Sequence, residues 1–159
     1  MNKIKFHKNY IFCFFSRNRE YIKSNFSSLN CAYNKGDSDY IVRENRNFTS
    51  NYLNKKRIIL PNQVHSNLVS NIKKTFYEDK YSDALVSNRK DILLGVLTAD
   101  CAPIIVLGKK YYGIIHAGWK GLVNGIIENT IKRFISLGEK KKRFISLCRT
   151  SLGKGFIWS

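Results

Sequence analysis

The sequence lacks closely spaced cysteines and long apolar runs. Four cysteines occur in 159 residues and no two of them form a CxxC pair, so their spacing does not indicate a disulfide scaffold. No apolar run approaches the length needed to span a membrane. The short apolar run at residues 10–15 is followed by no small-residue cleavage site. These absences predict a cytoplasmic location and no membrane partner.

Acidic residues are also scarce. The chain has 28 lysines and arginines against 11 aspartates and glutamates, which gives a net charge of +17. A charge of this size favours anionic partners in general. The basic residues are scattered along the sequence and form no single stripe. This favours drift of the overall amino-acid composition, and not a nucleic-acid-binding surface, as the explanation of the charge. We therefore expect no nucleic-acid partner, while a small anionic substrate remains compatible with the charge.

The chain does contain a series of short apolar runs bounded by turn residues, which is typical of strands. Such runs occur at residues 11–15, 57–60, 68–72, 83–87, 93–98, 104–107 and 111–115. Two segments have helical character: residues 39–48, with Asp37 as the N-cap, and residues 122–137, which Gly138 ends. A chain of this length corresponds to one domain.

The segment after Gly138 differs from the rest of the chain. Residues 132–137, KRFISL, recur as residues 142–147, and this offset matches neither helix nor strand repeats. Residues 148–159 show no pattern of any element. We expect an atypical tail at residues 138–159.

Three potential metal ligands stand at the ends of apolar runs. His65 follows the run at residues 57–60, Cys101 lies between two runs, and His116 directly follows the run at residues 111–115. A sheet can bring such ends together, and zinc accepts one thiolate and two imidazoles with one open position. The same residues also fit a cysteine nucleophile with a histidine base, or an inert cysteine beside two ordinary histidines. The spacing alone leaves all three interpretations open.

Several neighbouring positions have both a functional and a structural interpretation. Asp100 either orients a histidine or takes a proton, or it caps the turn that follows. The loop at residues 117–121 either presents a helix N-terminus to an anion, or is a close-packed turn that needs its glycines. Trp119 either stacks on a planar ligand or lies in the core. Arg17 and Arg46 either bind phosphate through paired hydrogen bonds or are ordinary exposed arginines.

Four segments occur together in an order that is found in a known family. They are NQVHS at residues 62–66, DALV at 83–86, GVLTADCAP at 95–103 and HAGWKG at 116–121. Weaker matches lie upstream: FSR at residues 15–17, SLN at 28–30, GD at 36–37 and NR at 45–46. Over about residues 11–137, the chain resembles the laccase-domain proteins. That family is also called the multicopper polyphenol oxidase-like family and is now treated as purine nucleoside phosphorylases.

The resemblance implies an α+β fold in which mixed β-sheets and flanking helices form one layered domain. It also implies a zinc-dependent enzyme that acts on purine nucleosides and phosphate. Such enzymes phosphorolyse adenosine, inosine, guanosine and methylthioadenosine, and deaminate adenosine. By motif match, the metal ligands are His65, Cys101 and His116, and the candidates for proton handling are Cys101 and Asp100. The residues assigned to substrate or phosphate are Arg17, Arg46, Asn62, Gly118 and Trp119.

Two alternatives remain beside the zinc enzyme. The older interpretation of the family is copper-dependent oxidation of phenols. One thiolate, two imidazoles and no cluster of further histidines favour zinc over several coppers. The other alternative is an inactive fragment, because family members are normally longer and nothing in residues 138–159 matches their further part. We therefore expect the single domain at residues 1–159 to lack C-terminal elements of the family fold. The sequence indicates no particular oligomeric state.

Overall fold

The computed structural model describes residues 3–7, 10–15, 29–33, 35–53, 57–73, 81–140, 145–148 and 156–158. These residues form two mixed five-stranded sheets with three helices. The strands are β1 (Lys3–His7), β2 (Tyr10–Phe14), β3 (Arg57–Ile59), β4 (Val69–Asn71), β5 (Ala84–Ser87), β6 (Ile92–Val96), β7 (Ala102–Leu107), β8 (Tyr112–Ala117), β9 (Ile145–Cys148) and β10 (Phe156–Trp158). The helices are α1 (Asp39–Tyr52), α2 (Trp119–Val123) and α3 (Ile126–Ser136). No helix in these described ranges combines the length and the apolar character needed to cross a bilayer.

The first sheet has the strand order β1-β2-β10-β6-β3. Its strands pair antiparallel, except that β3 runs parallel to β6. In the central strand β10, Ile157 lies opposite Cys13 of β2 on one side and opposite Gly95 of β6 on the other. The expectation that residues 148–159 contain no element is therefore wrong for Phe156–Trp158.

The second sheet has the strand order β4-β5-β8-β7-β9. β4 and β5 run parallel, and the other neighbours pair antiparallel. β7 and β8 form a hairpin whose register runs from Ala102 opposite Ala117 to Leu107 opposite Tyr112. β9 is the outer strand beside β7, so the segment expected to be an atypical tail contributes a strand to each sheet.

The two sheets pack face to face. Since side chains along a strand point alternately to its two faces, strands such as β5 and β6 contribute both to the core between the sheets and to a cluster on the outer face of their sheet. In β5, Leu85 packs into the core between the sheets, whereas Ala84 and Val86 pack on the other side with residues of α3. In β6, Leu94 packs into the same inner core and Leu93 packs outward near the end of α1. The result is a helix–sheet–sheet–helix arrangement. The predicted α+β class and layered organisation are confirmed.

The inner strands are buried on both faces, which explains why their sequences are continuous apolar runs and show no alternation with polar residues. Each fully buried side chain of this kind contributes about 1.5–3 kcal/mol relative to an exposed one. The inner core contains, among others, Phe12, Phe14, Ile59, Ile105, Leu107 and Ile114. The seven predicted strands all occur, with ends shifted by at most two residues. β1, β9 and β10 were not predicted.

The helical segment after β8 is divided in two, whereas the apolar period predicts one helix at residues 122–137. The break lies at Asn124 and Gly125, where Gly125 has a φ of 80°, a conformation that glycine adopts without steric cost. The side-chain amide of Asn67 donates to the Asn124 carbonyl at 2.7 Å, so this carbonyl has a partner where the helix is interrupted. Gly138, with a φ of 90°, ends the second helix as predicted.

Two helix starts also differ from prediction. Ser38, and not Asp37, is the N-cap of α1, because its Oγ accepts a hydrogen bond from the Ile41 amide at 3.4 Å. α1 also continues past residue 48 to Tyr52. The loop expected at residues 117–121 is instead the end of β8, the N-cap Gly118 and the first turn of α2.

A buried carboxylate closes the turn of the β7–β8 hairpin. Glu139, 6% exposed, accepts hydrogen bonds from the backbone amides of Lys109 and Tyr111, both at 2.9 Å, and from that of Lys110. Burial alone would raise the pKa of Glu139, but these amide hydrogen bonds outweigh burial and lower it. A Cβ at Gly108 would lie 2.6 Å from the Glu139 carboxyl carbon, so a larger residue there would displace the carboxylate.

Replacing Glu139 with glutamine should lower the free energy of unfolding by about 1–3 kcal/mol at neutral pH, since one amide oxygen cannot replace a carboxylate facing three donors. The folded-state pKa of Glu139 is lowered, so the stabilisation is present above the ordinary glutamate pKa and is lost as pH falls through the folded value. Urea unfolding at neutral and acidic pH measures this.

The matched control is Glu128→Gln on the exposed side of α3, which should change the unfolding free energy by no more than about 0.5 kcal/mol. Equal effects of the two substitutions, or an effect of Glu139→Gln that grows in acid, would contradict the role given to the Glu139 carboxylate.

Candidate metal centre

The structure brings His65, Cys101 and His116 together beside the second sheet. One potential ligand atom of each residue lies within 4.8 Å of the other two, and Cys101 Sγ is 3.9 Å from His65 Nε2. The rings of His65 and His116 meet edge to face with centroids 4.9 Å apart. Tetrahedral zinc, with its usual bond lengths to nitrogen and sulfur, places ligand atoms about 3.5 Å apart. The trio can therefore hold a metal ion after small side-chain movements.

His116 lies within β8, and not after it as the sequence suggested. It is 3% exposed and faces Pro103 of β7 across the hairpin. Its backbone amide donates to the Asp83 carbonyl at 2.7 Å, which extends the pairing of β5 with β8 by one residue. Its Nδ1 lies 2.8 Å from Asp83 Oδ1. Nε2 is therefore the nitrogen that remains available to a metal ion.

The Asp83 side chain is the hydrogen-bonding centre of the site. It is fully buried and accepts from the amides of Val64, His65 and Ser66 at 3.2, 3.0 and 2.7 Å. It also accepts from Ser66 Oγ at 2.7 Å and contacts His116 Nδ1. Burial alone would raise the pKa of Asp83, but the hydrogen bonds from His116, Ser66 and Val64 outweigh burial and hold the pKa well below its usual range.

His65 is held in an uncommon backbone conformation by its neighbours. Its φ is 57°, in the left-handed region that few non-glycine residues adopt. Gln63, two residues earlier, bonds the Leu97 backbone in both directions: Nε2 donates to the carbonyl at 2.7 Å, and the amide donates to Oε1 at 2.8 Å. This pair fixes the His65 loop to the end of β6, from which the chain continues to Cys101.

Cys101 is partly exposed, and its Sγ lies 3.6 Å from Asp100 Oδ1. Burial, and then the negative charge of Asp100, raise the pKa of the Cys101 thiol. A raised pKa is the opposite of what a cysteine nucleophile needs. A metal ligand, by contrast, loses its proton when the metal binds. In the metal-ligand interpretation, Asp100 Oδ1 is placed to receive that proton.

Gly118 provides the space in which the ligands meet. A Cβ at this position would lie 2.8 Å from His65 Cδ2 and 3.1 Å from Cys101 Sγ. Its φ of −77° and ψ of 159° are open to any residue, so the requirement for glycine is spatial. Gly121 is similar: a Cβ there would lie 2.8 Å from the Ser66 carbonyl oxygen, so α2 packs directly on the loop that carries His65.

The other residues assigned from the sequence lie in different surroundings. Trp119 is 69% exposed and next to the cluster in the chain, with Lys120 Nζ 5.7 Å from its ring; the core interpretation of Trp119 is therefore wrong. Asn62 is exposed. Arg46 donates to the Cys31 carbonyl at 2.9 Å and lies over the Tyr33 ring at 4.3 Å. The remaining assigned residue, Arg17, falls outside the described residues.

Sequence reasoning gave no role to the residues that hold the ligands in place. Asp83 and Gln63 both occur in segments quoted for the family resemblance, which was the available signal for them. Asn67 gave no such signal. Its side chain bonds Asn124, and its carbonyl accepts from the Asn129 side chain at 3.1 Å, so it ties the His65 loop to the junction of α2 and α3.

Comparison with known proteins gives a consistent family assignment. The family model described as multi-copper polyphenol oxidoreductase laccase matches residues 11–155. A purine nucleoside phosphorylase of Aquifex aeolicus is 42% identical over 88 residues, covering 55% of this chain and 43% of the relative. A purine nucleoside phosphorylase of Corynebacterium glutamicum is 33% identical over 133 residues, covering 79% of this chain and 54% of the relative.

The fold agrees with a solved structure. The crystal structure of a Neisseria meningitidis protein superposes with a TM-score of 0.79 at 26% identity, covering 89% of this chain and 58% of that one. The chain thus spans about half the length of the relatives that it matches.

Gly118→Ala should reduce zinc affinity at least about tenfold, because the added methyl group displaces His65 or Cys101 while the backbone stays unstrained. Competition with a chromophoric chelator measures the affinity. The control is Gly138→Ala, where φ is 90° and nothing lies within 4 Å of the added Cβ. That variant should lose about 1 kcal/mol of stability and keep its zinc affinity. Unchanged affinity in Gly118→Ala would show that the cluster does not bind the metal.

Proposed function

Because the chain belongs to the family described as multi-copper polyphenol oxidoreductase laccase, we propose that it acts as a zinc-dependent purine nucleoside phosphorylase with His65, Cys101 and His116 as the zinc ligands. The observation that carries the proposal is the clustering of these three ligand atoms within 4.8 Å. The similarity to proteins named purine nucleoside phosphorylase supports the reaction. The donor set of one thiolate and two imidazoles supports zinc.

In the proposed reaction, inorganic phosphate attacks the ribose C1′ of a purine nucleoside. The bond from C1′ to the base breaks, the proton of the attacking phosphate passes to the leaving base, and the products are the free purine and the 1-phosphate of the corresponding ribose. The proposed substrates are adenosine, inosine, guanosine and methylthioadenosine. Deamination of adenosine, in which water replaces the amino group and ammonia leaves, is proposed as a second reaction of the same site.

The chain's own residues would bind and orient the reactants. When bound, the metal ion would supply a positive centre with an open position for an oxygen or nitrogen of the substrate. The exposed ring of Trp119 offers a stacking surface for the purine, and Lys120 beside it offers a positive charge for phosphate. Gly118 leaves room beside the ligands. Asp100 and Cys101 are the proposed proton-handling residues, with Asp100 Oδ1 receiving the proton that the Cys101 thiol gives up as a metal ligand.

The remaining assignments belong to the same proposal and rest on motif matches. Arg17, Arg46 and Asn62 are proposed to contact substrate or phosphate. Residues 1–159 are proposed to act as one domain, which is supported by the core shared between the two sheets. A cytoplasmic location is likewise proposed.

Copper-dependent oxidation of phenols is the competing function, because the family description names copper. The whole chain contains three histidines, and two of them belong to the cluster. A single cluster of three ligands fits one metal ion, and the chain offers too few histidines for a site of several coppers. Copper in the purified chain together with oxidation of phenols would favour this alternative.

The test is phosphate-dependent release of hypoxanthine from inosine, with bound metal quantified on the same sample. We expect release that requires phosphate, about one zinc per chain, and loss of both in Cys101→Ala. The control Cys31→Ala changes a buried cysteine that lies outside the cluster and should retain both. Zinc without release from folded protein would contradict the reaction while leaving the metal centre. The absence of both would favour the inactive-fragment alternative.

A further inference from the structure

We infer that Asp83 is the positioning residue of the metal centre: its carboxylate sets the ring tautomer of His116 and the backbone position of His65. The inference rests on the metal centre proposed above and is independent of the reaction proposed there. Under this inference, a single residue, Asp83, which directly precedes β5, holds both histidine ligands in position.

The first half of the inference concerns the His116 ring. Four donors converge on the two oxygens of Asp83, namely the amides of Val64, His65 and Ser66 and the hydroxyl of Ser66, and Nδ1 of His116 lies 2.8 Å from Oδ1. A carboxylate with this many donors acts as an acceptor and has no position left for a proton of its own. His116 must then carry its proton on Nδ1, and Nε2 keeps the lone pair that a metal ion requires.

The second half concerns the His65 backbone. A φ of 57° is unfavourable for a residue with a side chain and persists where surrounding contacts impose it. The contacts from Asp83 include the His65 amide at 3.0 Å and the amides of both neighbours, Val64 and Ser66. The three successive amides of this loop therefore all point toward the Asp83 carboxylate, which holds the loop in its turn. Because His65 and His116 share Oδ1 as an acceptor, the positions of the two ligands depend on the same atom.

Replacing Asp83 with asparagine makes a sharp prediction about the tautomer. The side-chain oxygen of asparagine is best placed where Oδ2 was, since that position receives three donors. The amide NH2 then faces His116 and donates to Nδ1. This forces the proton of the neutral ring onto Nε2, the nitrogen that the metal ion would need. Zinc affinity should fall by about 10–100-fold.

The tautomer can be read without any metal from long-range ¹H–¹⁵N spectra, which distinguish the protonated from the unprotonated nitrogen of each imidazole ring. The chain contains three histidines, so spectra of His7→Gln and His65→Gln assign the His116 signals. Metal-free wild type should show His116 with its proton on Nδ1. A proton on Nε2 in the wild type would overturn the inference, even if no Asp83 variant folds.

Ser66→Ala is the matched control. It removes one hydroxyl donor from Asp83 Oδ2 and leaves the Oδ1 contacts with His65 and His116 in place. It should lower stability but keep the Nδ1 proton and stay within about threefold of wild-type zinc affinity. If Asp83 had only a structural role, Asp83→Asn and Ser66→Ala should both lower stability and leave the His116 tautomer unchanged. An unchanged tautomer and zinc affinity in Asp83→Asn would therefore overturn the inference, whereas wild type without zinc but with the expected tautomer would contradict only the metal centre.

Discussion

Face-to-face packing of the two sheets is the constraint on which the rest of the chain depends. Strands β5, β6 and β8 are buried throughout their length, so they carry almost entirely apolar side chains. Polar chemistry is thereby confined to the strand ends and to the loops beside them. His116 is the exception, because it lies within β8 and is 3% exposed. A buried imidazole needs a hydrogen-bonding partner, and Asp83, adjacent to it at the start of β5, provides one.

The same constraint explains why the site depends on so many backbone amides. A carboxylate in this interior would be costly without donors, and three of its donors are the amides of the loop at residues 64–66. Collecting them forces a left-handed turn at His65. A structural requirement, hydrogen bonding of one buried carboxylate, thus also places His65, one of the three candidate ligands. The Gln63 pair with Leu97 and the Asn67 pair with Asn124 then hold the two ends of this loop.

The strands can be predicted from the sequence because their signals are local, and the three candidate ligands can be selected because they lie in the motifs of the family resemblance. Apolar runs mark the strands, and residues at the ends of such runs are candidates for a site. β10 could not be predicted: its three residues lie between β2 and β6, and its strand character comes from those partners. The role of Asp83 was hidden for a similar reason, since its donors lie 17 to 33 residues away in the sequence. The division of the last long helix depended on Gly125, whose φ the apolar period does not reveal.

The position of β10 has a consequence for the order of folding during synthesis. The first sheet cannot be completed until residues 156–158 leave the ribosome, because they separate β2 from β6. Until then, the facing edges of β2 and β6, each a strand of five residues, have no partner, and unpaired strand edges are sites where nascent chains can associate wrongly. The ligand cluster requires no residue after His116. A metal ion that bound before β10 paired would link the His65 loop to β8. It would thereby reduce the conformational entropy that the chain still has to lose when β10 joins the first sheet.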